Sequence, residues 1–253
     1  MTERAEPRFA SGLLMLADIS GYTAFLQRVT DAHPELTAGV EPVPPAYDFM
    51  VTLLDLVADG LQPTFTPVQT EGDALFAVAE ADAVVNRGRA VLDTIGSTYS
   101  SYHARIEEQQ RMQGHDCAAC VLLTSLELKF IVHAGTFVIQ PLATRTHVAG
   151  PAVIVAHRLL KNRVTDETGL RGYVLMTDAA RELLSLDGAG GISHAEAYDD
   201  SGSGQRRHPR PAGTGLTLSP PRPRAAPPRT ALAPRRPGNG ARHRSPARSR
   251  SGE

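Results

Sequence analysis

The stretch that most constrains this chain is LLMLADISGYTAFL, Leu13 to Leu26. An unbroken apolar run, Leu13 to Ala17, delivers Asp18, and Ser20-Gly21 then turns the chain into an amphipathic segment that starts near Tyr22. Such a run followed by a turn signal reads as a buried strand. A carboxylate at a strand end can bind a divalent cation, and the free N–H groups at the start of the next helix can hold phosphate oxygens. At this junction Asp18 would serve the cation, and Gly21, Tyr22 and Thr23 would face the phosphates. The competing reading is a plain strand-turn-helix in which Asp18 is an acid at the helix N-terminus. A second stretch, VQTEGDALFAV (Val68 to Val78), favours the first reading, because the acidic turn Glu71-Gly72-Asp73 sits between two strand-like runs. Two aspartates, one at a strand end and one at a hairpin tip, suit a two-metal phosphoryl-transfer site.

Further along, helices are expected over Tyr22 to Ala32, over Ala46 to Asp59 with Gly60 as a stop, and over Ala81 to Gln113. Thr64 to Thr70 and Ala74 to Ala79 form the hairpin around Asp73. Leu126 to His133 and Thr136 to Leu142 read as two paired strands joined at Ala134-Gly135, and Ala143 to His147 as a loop. Pro151, tolerated in a first turn, opens a helix to about Asn162. Tyr173 to Met176 is a strand, and Thr177 caps a short helix to Leu184. This order lacks a strict βα repeat and points to an α+β fold, with helices packed on one sheet, over a doubly wound one.

ADISGYTAF, EGDALFAV, KFIVHAG and VAGPAVIVAHRLL, in that order, resemble the catalytic domain of class III adenylate and guanylate cyclases. More narrowly, they are similar to a bacterial cyclase-like family of unknown function. The resemblance spans roughly Arg8 to Leu186. It implies a ferredoxin-like cyclase sheet and a nucleoside triphosphate ligand with Mg2+ or Mn2+. It also implies a homodimer with sites at the interface. Asp18 and Asp73 match the two metal-binding aspartates, with the backbone carbonyl of Ile19 completing a site. Arg158 matches the arginine that stabilises the transition state, a task suited to a planar, permanently charged guanidinium. An ion pair on a helix face is its alternative. The base-reading positions fall at Gln69 and His147, where active enzymes that use ATP carry lysine and aspartate. The ribose-orienting asparagine falls at Ile154, whose side chain can neither donate nor accept. Asn162 lies one turn beyond Arg158, too far to substitute. The metal half is therefore expected intact and the base and ribose half altered. Two functions follow: a metal- and nucleotide-binding domain with altered or lost cyclisation, or an active nucleotidyl cyclase.

His115, Cys117 and Cys120 form a lone CxxC with a nearby histidine. Thiolates at that spacing can chelate zinc, but a structural site needs four ligands and the chain has no second cysteine pair. His103 or His133 would have to contribute, or a partner subunit; an inert loop is the expectation, and His133 reads as structural. Two cysteines in all argue against a disulfide scaffold and suit the cytoplasm. No apolar run approaches the about 18 residues of a membrane span.

Charge divides the chain. Residues 1–204 carry 14 basic and 26 acidic side chains, whereas residues 205–253 carry 12 arginines against Glu253 alone. The domain is expected over residues 8–200 and a disordered Arg/Pro-rich tail over 201–253, because such composition cannot bury a core. Its arginines could hold nucleic acid or an anionic surface only non-specifically. An out-of-frame reading of GC-rich coding DNA would give the same composition.

Overall fold

The computed structural model describes residues 6–32, 45–112, 120–143, 145–186, 192–195 and 212–217. Residues 1–221 form one compact unit; the second unit, 222–253, lies outside the described residues. Strand β1 (Arg8–Ser20) is central, hydrogen-bonded to β3 (Ala74–Glu80) on one side and to β4 (Glu127–Leu142) on the other. β2 (Thr66–Glu71) flanks β3, and the sheet continues from β4 through β6 (Tyr173–Thr177) and β8 (Ala212–Thr217) to β7 (Ile192–Ala195). β5 (Arg145–Ala149) pairs with the far end of β4.

Helices cover both faces, which is why Leu13 to Ala17 is apolar at every position rather than alternating. On one face Leu13, Met15 and Ala17 pack with α1 (Tyr22–Ala32), α2 (Pro45–Leu61), α4 (Gly88–Met112) and α7 (Asp178–Leu183). On the other, Leu14, Leu16 and Phe76 pack against Ala152, Ala156 and Leu159 of α5 (Pro151–Leu160) and Val164 of α6 (Val164–Thr168). The short helix α3 (Ala81–Val84) precedes α4. Thr177 caps α7 as expected, accepting from the Ala180 N–H at 3.3 Å.

Several expected boundaries move. Gly60 does not stop α2; it packs within the helix so closely that an added Cβ would lie 2.7 Å from Thr98 Oγ1. The long helix expected from Ala81 is broken between Val84 and Gly88. Ala134-Gly135 is not a turn. β4 runs through it unbroken, with Gly135 opposite Gly12, and the missing side chain admits Ala152 of α5. Arg145 to His147, expected within a loop, form part of β5. β8 lies inside the stretch assigned to the tail, so the sheet extends past residue 200. Its pairing to β6 is made by backbone groups that composition does not reveal. The other residues of 201–253 lie outside the described ones, as do His115 and Cys117. Among the described residues, no helix is long and apolar enough to cross a membrane.

Candidate functional site

Asp18 lies near the end of β1, 9% exposed, on the face that carries α5. Side chains alternate along a strand, so it shares parity with Leu14 and Leu16. Asp73 occupies the β2–β3 turn beside it, and the Ile19 N–H donates to the Asp73 carbonyl at 3.1 Å. This bond ties the end of β1 to the hairpin tip. Gly72 takes the left-handed conformation (φ 67°) that lets the turn close. Burial, and then the neighbouring Asp18 charge, push the Asp73 carboxyl above its ordinary value; its own backbone and Lys129 oppose the shift.

The first turn of α1 adjoins the pair. Gly21 (φ 88°) makes the bend against Ser125, where a Cβ would meet a carbonyl oxygen at 2.9 Å. Its carbonyl accepts from the Phe25 N–H, starting the helix. The Tyr22 phenol is raised by burial and then by the Asp73 charge, while Thr23 is exposed. Asp18, Asp73 and the start of α1 are thus brought together.

Lys129, which sequence reasoning missed, completes this group. Its Nζ lies 3.1 Å from Asp18 Oδ2, and β4 sets it directly opposite Asp18. Two carboxylates whose charges act on each other call for positive charge, and oxygen donors of this kind suit Mg2+ or Mn2+. The acidic pair therefore fits a divalent ion, although Lys129 already meets part of the demand. Among the described residues, no group of three or more His, Cys, Asp or Glu could hold a metal by itself.

A separate cleft of about 490 Å3 opens between the β2–β3 hairpin, β5 and α5. Gln69, His147, Ile154 and Arg158 all line it, so the four positions singled out for base, ribose and phosphate share one cavity. Neither Asp18 nor Asp73 is among its walls. Ile154 is 55% exposed there, an apolar side chain where the resemblance calls for an amide. Lys161 adds a second cation to the lining.

Glu71 and His157 were not singled out in the sequence, yet they organise this cleft. His157 Nε2 lies 2.9 Å from Glu71 Oε2 and its Nδ1 lies 2.8 Å from the Val153 carbonyl. The Gln69 amide donates to Glu71 Oε1 at 2.5 Å, so Glu71 fixes which end of that amide is nitrogen. The His157 ring also rests on Phe76, with centroids 5.4 Å apart. The sequence signal for this network was only the i, i+2 spacing of Gln69 and Glu71 on one strand face.

Two further histidines among the described residues are tied to neighbours away from the cleft. His133 contacts Thr177 Oγ1 at 3.1 Å, and burial lowers its pKa. His103 pairs with Glu127 at 2.8 Å. Burial alone would raise Glu127, but His103, the Leu128 N–H and Tyr99 together hold it low. Of the CxxC, the backbone of Cys120 begins a 3-10 turn, Cys120–Ser125.

Comparison with known proteins follows this geometry. The family described as protein of unknown function (DUF2652) matches residues 50–168, which include Gln69, Asp73, Lys129, His147 and Arg158 but not Asp18. A curated protein of Mycobacterium tuberculosis (strain ATCC 25618 / H37Rv), "Uncharacterized protein Rv2561/Rv2562", is 30% identical over 135 residues, 53% of this chain. The match spans 60% of that relative's length. Among solved structures, the adenylyl cyclase CyaB from P. aeruginosa superposes with a TM-score of 0.56 at 16% identity, over 86% of this chain and 98% of that one. A bacterial light-regulated adenylyl cyclase gives 0.55 at 13% identity, over 84% of this chain and 53% of that one. A class III adenylyl cyclase-like ATP-binding protein from Pseudomonas aeruginosa gives 0.50 at 16% identity, over 71% and 36%. The chain therefore has the fold of the class III nucleotidyl cyclase catalytic domain.

Proposed function

We propose that this chain binds a nucleoside triphosphate together with a divalent cation, and that its capacity to cyclise the nucleotide is altered or lost. The carrying observation is the division of the site: Asp18 near the end of β1 acts electrostatically on Asp73 in the β2–β3 turn, while Gln69, His147, Ile154 and Arg158 line a separate cleft. Two incomplete half-sites on one chain suit a homodimer in which the acidic pair of one copy faces the cleft of the other. A protein of the same fold is described as ATP-binding, which supports the ligand class.

The cation, Mg2+ or Mn2+, would be held by the Asp18 and Asp73 carboxylates and would neutralise phosphate charge. Gly21, Tyr22 and Thr23 at the start of α1 offer backbone N–H groups to phosphate oxygens. In the cleft, Arg158 and Lys161 supply positive charge, and the Gln69 amide and His147 ring supply polar contacts to a base edge. Ile154 gives the ribose nothing to hydrogen-bond, so the sugar hydroxyl is not oriented toward the phosphate. That loss falls on orientation, which contributes heavily to the rate of such a reaction.

An active cyclase is the second reading, favoured by Arg158 in the cleft wall. Incubating the protein with each nucleoside triphosphate and Mn2+, followed by product analysis, separates the two. The expected outcome is bound nucleotide recovered unchanged. Cyclic nucleotide and pyrophosphate would establish the second reading, and the absence of any bound nucleotide would overturn both.

A further inference from the structure

Lys129 is the cation paired with Asp18 among the described residues. The contact is built into the sheet and is not a chance meeting of long side chains. The antiparallel register of β1 and β4 sets Asp18 and Lys129 opposite each other, and both lie on the α5 face, in line with Leu16 and Ile131. Directly opposed side chains in such a pair are near neighbours. Both are largely enclosed, with side chains 17% and 12% exposed for Lys129 and Asp18, so solvent screens the pair little. The ammonium also acts electrostatically on Asp73. Two carboxylates and one ammonium leave a single net negative charge where a divalent ion would bind.

We propose that Lys129 is a resident counter-ion that sets the cation affinity of this site, so that a divalent ion enters as its complex with a nucleotide and not as the free ion. The inference rests on the metal–nucleotide reading above. A free divalent ion must draw Asp18 away from an ammonium already in place and then sit beside that positive charge. A nucleotide's phosphates remove the obstacle, because they accept hydrogen bonds from the ammonium while their charge offsets the ion's. Lys129 then changes partner from carboxylate to phosphate, a short movement for a flexible four-carbon stem. Lys129 is thus a positioning and selectivity residue.

The test is Mn2+ binding by electron paramagnetic resonance, with and without ATP, on the full chain and its Lys129 variants. Lys129→Met removes the charge and keeps the stem. It is expected to tighten binding of free Mn2+ by about tenfold, the effect of deleting one like charge a few Å away in a partly buried site. The gain for Mn2+ with ATP is expected to be smaller. Lys129→Arg keeps the charge and should bind free Mn2+ as the parent does. If Lys129→Met fails to fold, Lys129→Gln offers the same neutral charge with an amide for Asp18. Unchanged or weaker free-Mn2+ binding in the folded neutral variant overturns the role of Lys129. Parent binding of Mn2+–ATP that is abolished by Asp73→Asn would then still uphold the metal–nucleotide reading. Absence of Mn2+ binding from every protein, with or without ATP, overturns that reading and the inference together.

Discussion

Asp73 sits where folding works against its charge. Burial and Asp18 raise its carboxyl, so the folded chain holds that proton more tightly than the unfolded chain does. The resulting contribution to stability is complete in acid, below the usual carboxylate range, and is lost as pH rises through the raised value. Without metal, Asp73→Asn should therefore stabilise the protein at neutral pH, by only a few tenths of a kcal/mol because solvent screens a partly exposed pair. The variant should also lose the part of the pH slope that Asp73 supplies above the usual carboxylate range. Thermal melts across that range, with and without Mn2+ and ATP together, check both points: the Mn2+–ATP complex should raise the melting temperature of the parent and not of the variant. A variant less stable than the parent at neutral pH would show that Asp73 is a structural acid.

Elements, more than single residues, decide how the cleft is shaped, and α5 is the decisive one. It carries Ile154, His157 and Arg158, and it approaches the sheet closely because Gly135 has no side chain. A Cβ on Gly135 would fall 2.6 Å from the Ala152 Cβ, which neither residue can relieve by rotation. Gly135→Ala should push α5 outward, costing about 1–3 kcal/mol of stability and weakening nucleotide affinity through displaced cleft residues. Denaturant unfolding and a nucleotide titration measure the two effects. Loss of affinity with stability unchanged would contradict this account of the packing. The sequence reading took the same glycine for a hairpin turn, since Ala-Gly between apolar runs is a turn signal. Local pattern did reveal β1, the β2–β3 hairpin and α5, and with them the places of Asp18 and Asp73 at an element's end and in a turn, whereas Arg158 was named through the resemblance alone. Lys129, Glu71 and His157 stayed hidden for a different reason. Their roles come from register between strands and from a contact between residues 86 apart, which no local window contains.

At the larger scale, the fold sets an acidic pair apart from a cationic cleft. The acidic pair stands by the carboxyl end of the central strand, while Gln69, His147, Arg158 and Lys161 line a cleft beyond the hairpin. Glu71 joins the two regions: it lies two residues before Asp73 and holds both Gln69 and His157. The chain's charge is just as unevenly placed, with a net −12 over residues 1–204 against +11 over 205–253. The sheet itself reaches into the basic part through β8, so the ordered fold and the compositional boundary do not coincide. The most direct test of the central claim is equilibrium binding of ATP to the full chain by calorimetry, in Mn2+ and in EDTA, for the parent and for Asp73→Asn. The account expects saturable binding by the parent in Mn2+ that disappears in EDTA and in the variant. Binding that survives both the chelator and the substitution would contradict a metal-dependent site at Asp18 and Asp73.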